Sequence, residues 1–224
     1  MKYNILKFIT FSLIVVIAAV GCSSKQPKQK SQLLSQPFKS DLVERDKIAK
    51  LHSILLLPVA TSTVSTVCAD QVRQYDFVTE AFQSEVGIKL KSDDEVLEAL
   101  GTDWNAQTIT KEMALSLASK FKTDGVMFIK VHSCQERVGS RAGVDKPAHL
   151  SFVVHLFTTL NAEEVWAGTY ALKDIPLSEN LLHIKDRVHT GPGWASAGDL
   201  MKYGLRLAAK EFEKQRTSSF LIAQ

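Results

Sequence analysis

The sequence carries little net charge. Its 224 residues include 27 lysines and arginines against 24 aspartates and glutamates, which gives a formal charge of +3 at pH 7. Proteins that bind nucleic acid normally concentrate a large positive charge on one face. This composition therefore excludes nucleic acid as an expected partner.

Catalytic and cofactor motifs are also missing. The sequence contains no GxSxG elbow, Walker A loop or GxGxxG fingerprint. Its six histidines form no HExxH motif and no pair four residues apart, so the ligand spacing of a zinc site is absent. These histidines are His52, His132, His149, His155, His183 and His189. The sequence predicts neither a metal nor another cofactor.

Two groups of side chains look like fragments of an active site. The acidic run 93–95 follows Ser92, and such a run forms a capping box at the start of a predicted helix, where acids stabilise the helix N-terminus. His132 and Cys134 share one face of a predicted strand, as a base and a nucleophile would. A disulfide to Cys68 is the favoured alternative for Cys134. We expect no catalytic residues and no enzyme activity.

The apolar run at the N-terminus ends at a cysteine. Lys2 and Lys7 lie before the apolar segment 8–20, which is followed by Gly21 and then by Cys22. A positive start, an apolar segment of this length and small residues at its end are typical of a secretory signal. The run is shorter than the ~20 residues that a transmembrane helix needs. The sequence predicts a cleaved signal peptide over residues 1–21, and its removal lowers the formal charge from +3 to +1 because two lysines leave.

Residues 19–22, Ala-Val-Gly-Cys, resemble the lipobox of bacterial lipoproteins, with alanine in place of the commoner leucine. The resemblance implies that a diacylglycerol is attached to the Cys22 sulfur, that the chain is cut before Cys22 and that the new amino group is acylated. Three acyl chains would anchor the protein permanently, since each buried CH₂ contributes ~0.8 kcal/mol. Ser23, where an aspartate would favour the inner membrane, implies an outer-membrane anchor with the folded part facing the periplasm. The alternative is an ordinary signal peptide or an N-terminal anchor helix.

A polar segment follows the lipidated cysteine. Residues 23–47 are rich in Ser, Gln and Lys, and such a composition does not bury enough apolar surface to offset its ordering entropy. Docking of Leu33, Leu34 and Phe38 on the folded part is the alternative. We therefore predict four regions: a signal peptide over 1–21, the lipidated Cys22 and a flexible tether over 22–47, a periplasmic domain over 48–216, and a C-terminal tail over 217–224.

The remaining cysteines are an even pair. Cys68 and Cys134 belong to a chain that is predicted to enter an oxidising compartment, which favours one disulfide between them. Two separate buried thiols are the alternative, since the sequence alone does not place the two Cα atoms within bridging distance.

Apolar spacing predicts alternating strands and helices in the domain. We expect strands at 53–59, 88–90, 126–132, 149–160 and 164–172, and helices that end at Gly87, span 92–101, span 109–122 and span 200–212. Asp70 and Thr108 are the expected N-caps of the first and third helices. Because an α/β half precedes an antiparallel hairpin, the predicted fold is α/β (α+β): a single mixed β-sheet with helices packed against it.

Four segments carry a family resemblance: the strand 54–58 that ends in proline, the helical stretch 77–82 (FVTEAF), the helix, Asp-Gly turn and strand over 118–131, and the hairpin that ends at 164–167. Together they resemble periplasmic lipoproteins of the type that includes LpoB, the activator of penicillin-binding proteins, and CsgG, the curli secretion pore. The resemblance spans roughly residues 50–212. It implies the fold and a periplasmic setting more than any one activity.

Two long loops are the candidate binding regions, because recognition usually lies on loops of a rigid scaffold. Loop 135–147 carries Arg137, Arg141 and Lys146 among glycines. These basic residues suit an anionic sugar polymer or an acidic partner; the alternative is a solvated, mobile connection. Loop 173–197 contains Trp194, either a plug over the core or an anchor for a partner.

These features predict a lipid-anchored periplasmic protein-interaction module, a non-enzymatic, activator-like accessory factor in cell-envelope assembly. Its expected partners are the membrane, through the N-terminal lipid, and a periplasmic envelope protein. The alternative is a structural subunit of an outer-membrane secretion or surface-organelle complex.

The lipidation site is directly testable. Metabolic labelling with a fatty-acid analogue should mark the wild-type protein and should fail for Cys22→Ser, because the thiol is the expected acylation site. Gel fluorescence of the two proteins, expressed at equal levels, measures the difference. Equal labelling of both would contradict the lipoprotein prediction.

Overall fold

Strands and helices alternate along the chain in nearly the predicted order. The computed structural model describes residues 37–61, 66–72, 75–85, 89–90, 93–100, 109–174 and 193–218. Its strands are β1 (Phe38–Val43), β2 (Ser53–Leu56), β3 (Lys89–Leu90), β4 (Gly125–Gln135), β5 (Val138–Gly139), β6 (Val144–Lys146), β7 (His149–Thr158) and β8 (Glu164–Lys173). Its helices are α1 (Arg45–Ile48), α2 (Thr66–Val72), α3 (Tyr75–Glu85), α4 (Asp93–Leu100), α5 (Lys111–Lys120) and α6 (Ala197–Ser218).

Six strands form one mixed sheet in the order β1-β8-β7-β4-β2-β3. Strand β2 is parallel to both β3 and β4, whereas β4, β7, β8 and β1 pair antiparallel in succession. Strands β7 and β8 are the expected hairpin. The predicted fold class is therefore confirmed.

Alternate residues of the central strands enter two apolar cores, as the two-residue period of a strand requires. Ile54 and Leu56 of β2 face the larger core, which also contains residues of α2, α3 and α6. Leu55 and Leu57 face the smaller core, which contains residues of α4 and α5. Helices thus cover both faces of the parallel part of the sheet.

Helix α6 closes the larger core. Helical spacing predicts that Leu200, Tyr203, Leu207 and Phe212 face inward. Leu207 is half-buried against the larger core and the other three are buried, and the helix extends beyond the predicted bounds at both ends. The Phe212 ring meets the edge of Trp166 with ring centroids 5.2 Å apart and lies 6.5 Å from Phe82. Aromatic contacts therefore join this helix to β8 and α3.

Two predicted helix caps are wrong. Asp70 lies inside α2, because the expected single helix is two helices, α2 and α3. The N-cap of α5 is Thr110, whose backbone is extended and whose hydroxyl oxygen accepts a hydrogen bond from the Met113 N–H at 3.3 Å. The predicted cap Thr108 and the expected helix end at Gly87 lie outside the described residues.

Strand β1 lies in the segment that the sequence assigns to the tether. Phe38 is only 5% exposed, and its ring stacks on Trp166 with centroids 5.9 Å apart. Gly168 leaves the space for this ring, since a Cβ there would overlap it. Helix α1, with the fully buried Ile48, follows directly. The described domain thus begins before residue 48. The composition of this segment does not predict its structure, because a single aromatic side chain packs into a pocket of the domain.

Asp124 ties the start of β2 to the start of β4. Its Oδ2 accepts hydrogen bonds from the backbone N–H groups of His52 and Ser53, both at 2.9 Å, and from the Ser53 hydroxyl at 3.1 Å. Partial burial, the largest single influence, raises the pKa of the Asp124 carboxyl, but the hydrogen bonds together hold this pKa below its ordinary value. The ionised carboxylate therefore stabilises the fold above about pH 3.9, and this contribution is lost as the pH falls through the lower folded-state pKa.

Cys68 and Cys134 form a disulfide, with their Cα atoms 6.1 Å apart. Cys68 is fully buried in α2, and Cys134 lies near the end of β4. The pairing is the expected one, although Cys68 sits in a helix and not at a strand end. The bond fixes α2 against the far end of β4.

None of the described helices is both long enough and apolar enough to cross a membrane.

The role of β1 in the domain gives a stability prediction. Phe38→Ala should lower the free energy of unfolding by about 3 kcal/mol, because it leaves a cavity against Trp166. Lys39→Ala, an exposed neighbour on the same strand, should change it by less than about 0.5 kcal/mol. Urea unfolding of the full chain measures both. Equal stability of the two variants would show that β1 is not part of the cooperative unit.

Candidate functional site

The first candidate loop folds into a small hairpin. Strands β5 and β6 pair antiparallel as a separate two-stranded ribbon between β4 and β7. At its tip the Ser140 side-chain oxygen accepts hydrogen bonds from the N–H groups of Ala142, at 3.2 Å, and Gly143, at 3.1 Å. The connection between β4 and β7 is thus ordered by its own hydrogen bonds, not left as an open loop.

The three residues proposed from the sequence as binding residues lie together beside this hairpin. The Arg137 guanidinium donates a hydrogen bond to the Trp194 carbonyl oxygen at 2.5 Å, and the Trp194 N–H donates to the Arg141 carbonyl oxygen at 2.9 Å. Gly193 has a φ of +92°, and a Cβ there would lie 2.6 Å from the Arg141 carbonyl oxygen, so glycine is required. One side-chain and one backbone hydrogen bond therefore join the hairpin region to the segment that precedes α6.

Carboxylates hold three consecutive N–H groups at the start of α6. The Ala195 N–H donates to Asp174 at 2.7 Å, the Ser196 N–H to Asp199 at 2.9 Å, and the Ala197 N–H to Glu136 at 2.9 Å. The Asp199 N–H returns to the Ser196 hydroxyl oxygen at 3.1 Å, which completes a capping box. Negative charge is favourable at a helix N-terminus. This cluster, which we call the α6 clamp, joins β4, β8 and α6.

The clamp fixes the position of Trp194. Its neighbour Ala195 is 1% exposed, whereas Trp194 and Arg137 are half-buried and Arg141 is exposed. The indole is therefore neither sealed in the core nor wholly in solvent. The binding role of Arg137, Arg141 and Trp194 remains a prediction.

A buried tyrosine lies below the clamp. Tyr170 stacks on Phe152, with ring centroids 4.8 Å apart, and no described residue forms a hydrogen bond to its hydroxyl. Burial first, and then electrostatic interaction with Tyr203 and Asp174, raise the pKa of Tyr170 well above its ordinary value. This hydroxyl is neutral at any physiological pH and adds no charge to the site.

The histidine and cysteine candidates are distributed over the fold. His155 Nδ1 lies 2.6 Å from Glu164 Oε1, and its ring packs against Phe128 with centroids 5.1 Å apart. Cys134 is held in the disulfide. Within the described ranges no three His, Cys, Asp or Glu side chains come together as metal ligands. Cys22, His183, His189 and the side chains of Asp93 and Asp94 lie outside the described residues.

The sequence did not reveal a polar row that crosses the sheet. The strand register places Ser133, Ser151 and Ala171 side by side on the face opposite the larger core, and the two serine oxygens lie 2.7 Å apart. We call the shallow channel along this row the trough. In the sequence, the alternation along β7 indicates that Ser151 faces away from the core. It does not indicate which residues of β4 and β8 lie beside Ser151.

No protein-family model matches the chain, and no curated protein matches its sequence. Among solved structures, the chain is similar to the PelC dodecamer from Paraburkholderia phytofirmans at 10% identity and a TM-score of 0.48, over 79% of this chain and 97% of that one. It is similar to lipoprotein GNA1162 from Neisseria meningitidis at 18% identity and a TM-score of 0.43, over 62% and 99% of the two chains. The LpoB C-terminal domain from Escherichia coli aligns at 15% identity and a TM-score of 0.39, over 58% and 95%. At these scores the similarity assigns no function to this chain.

The α6 clamp gives a second stability prediction. Asp174→Ala should lower the free energy of unfolding by about 2 kcal/mol, because it leaves the buried Ala195 N–H without an acceptor. Asp174→Asn keeps an acceptor oxygen and should recover most of this loss. Asp145→Ala, at an exposed position on β6, is the control and should stay within about 0.5 kcal/mol of wild type. Guanidinium unfolding measures all three, and a control as unstable as Asp174→Ala would refute the clamp.

Proposed function

We propose that the chain is a lipid-anchored periplasmic protein-interaction module, a non-enzymatic accessory factor in cell-envelope assembly. The lipobox-like sequence around Cys22 supports the anchor, and Ser23 supports the outer membrane. The disulfide between Cys68 and Cys134 suits an oxidising compartment. In this proposal the tether is shorter than residues 22–47, since β1 begins at Phe38.

The observation that carries the proposal is the setting of Trp194 between two arginines. Tryptophan and arginine are enriched among the residues that dominate the binding energy of protein interfaces. The α6 clamp orders this segment before any partner arrives, which lowers the entropic cost of binding. Arg137, Arg141 and Trp194 therefore form the proposed partner-binding surface.

The edge of the sheet is a less suitable docking surface. Strand β1 ends the sheet beyond β8, but its register shifts between Ser40 and Leu42. Lys39 and Asp41 place exposed charges on the same strand. Bulges and charged side chains are features that discourage the addition of a further strand to a sheet edge. The clamp region is therefore the favoured surface.

Site-specific crosslinking tests this surface in cells. A photoreactive amino acid in place of Ala142, which is exposed beside Arg141 at the hairpin tip, should give one discrete adduct with a single envelope protein. The same amino acid in place of Lys210, exposed on α6, is the matched control and should give none. Arg141→Ala and Trp194→Ala should each deplete the adduct at position 142. Immunoblotting and mass spectrometry measure the yield and the identity of the adduct.

Thermal unfolding of the same variants separates binding from folding. Arg141→Ala should keep the wild-type Tm while it loses the adduct. Equal adducts at positions 142 and 210, or adducts that neither variant weakens, would overturn the proposed surface. Adducts of the chain with itself would instead identify the alternative function, a structural subunit of an envelope complex.

A further inference from the structure

A row of polar side chains borders the trough. Next to the floor residues Ser133, Ser151 and Ala171, the register places Gln135, His149 and Lys173 side by side across β4, β7 and β8. Lys146 and Asp145 of strand β6 line the same depression, whose volume is about 740 Å³. The trough thus has a floor of small residues and a wall of longer polar ones.

The charge around the trough is mainly positive. Of the described residues that line it, Lys146 and Lys173 are cations and Asp145 is the carboxylate. Lys130, exposed on β4, lies on the same face beyond the floor, across from Val153 in the register. Charges act over a Debye length of about 8 Å at physiological salt, so the lysines that line the trough attract an anion that enters it.

The central strand beneath the trough is closed to an extended peptide that adds to the sheet. Ser151 of β7 is paired with Ser133 of β4 on one side and with Ala171 of β8 on the other, so the sheet ladder uses the main-chain groups of β7. Peptide recognition by strand addition needs an unpaired edge. The trough offers side-chain groups only: the two serine hydroxyls, the Gln135 amide and the lysine ammonium groups.

The floor also offers little open surface for a lipid chain. Ser133, Ser151 and Ala171 are small, and two of the three are polar. Of the leucines that line the trough, Leu150 is 1% exposed and Leu172 packs against the larger core. The row crosses three strands, a distance of about 10 Å, which is longer than a single headgroup requires. A linear polymer that carries both hydroxyls and negative charges matches these groups.

We propose that the trough binds an acidic polysaccharide, a linear sugar polymer that bears carboxylates. Lys146 and Lys173 attract its carboxylates, while Ser133, Ser151 and Gln135 exchange hydrogen bonds with its hydroxyl groups. This binding site goes beyond the proposed protein-interaction function and uses other side chains. It would let one anchored domain contact a protein and a sugar polymer.

Titration of the full chain with polygalacturonate tests the proposal. The protein is purified from membranes in a non-ionic detergent, and binding is measured by isothermal calorimetry at low salt. Lys146→Glu/Lys173→Glu should weaken binding at least tenfold, because two attractions become repulsions. Lys50→Glu/Lys210→Glu makes the same change in net charge at exposed positions outside the trough, and its affinity should stay within twofold of wild type.

A variant that leaves the charge unchanged tests the shape of the floor. Ala171→Leu places a larger side chain on the exposed floor and should abolish binding, while its Tm stays near that of wild type. Dextran, an uncharged sugar polymer, should not bind. Retained binding by Ala171→Leu would overturn the assignment of the trough.

Three further results would overturn the proposal. An equal loss of affinity in both double variants would show a general charge effect. Polyglutamate bound as tightly as polygalacturonate would identify an acidic peptide site. Glycerol phosphate that competes fully with polygalacturonate would identify a headgroup or phosphate site.

Discussion

The first part of strand β4 must satisfy two different neighbours, and the rest of the molecule is arranged around that requirement. It runs parallel to β2 on one side and antiparallel to β7 on the other. Its first half is buried on both faces, so helices have to cover both. From the exposed Lys130 onward the strand leaves the smaller core and is polar on that face, and a register shift between Val131 and Ser133 then places Ser133 beside Ser151. The first part of β4 therefore contributes to the two cores, and its last part contributes to the trough.

The end of β4 is held more firmly than a strand end normally is. Cys134 is bonded to α2, and Glu136, directly after the strand, accepts the Ala197 N–H of α6. Both attachments lie within three residues, on opposite sides of Gln135. They orient the hairpin β5–β6, whose tip depends on Ser140. The proposed partner-binding surface would lose little entropy on binding if it is ordered in the free protein, and these attachments provide that order.

The fold could be predicted from local patterns, because alternation and capping residues act within a few positions. Ile54 to Leu57 alternate between the two cores, and Leu200, Tyr203 and Phe212 face inward as their helical spacing requires. For β1 the sequence favoured a tether and gave docking of Phe38 only as the alternative, because this buried side chain gains its stability from Trp166, far along the chain.

The candidate site could be predicted only in part, because its contacts join distant positions. The sequence indicated Arg137 and Trp194 as separate candidates. The hydrogen bond between them joins positions that are 57 residues apart. The side chains that line the trough depend on which residue of β4 lies beside Ser151. The register shift in β4 determines that this residue is Ser133. Neither feature leaves a local pattern in the sequence.

Strand β1 has a mechanical consequence for an anchored protein. Chain continuity places Phe38 at the point where any pull from the N-terminus enters the sheet, and the hydrogen bonds between β1 and β8 bear that load first. The Phe38 ring, stacked on Trp166, resists withdrawal at the same point. The disulfide joins α2 to β4 and does not bridge this strand pair. If the chain is anchored through Cys22 as proposed, tension would detach β1 before it disturbs the crosslinked core, and the first strand would be the part of the domain that yields first.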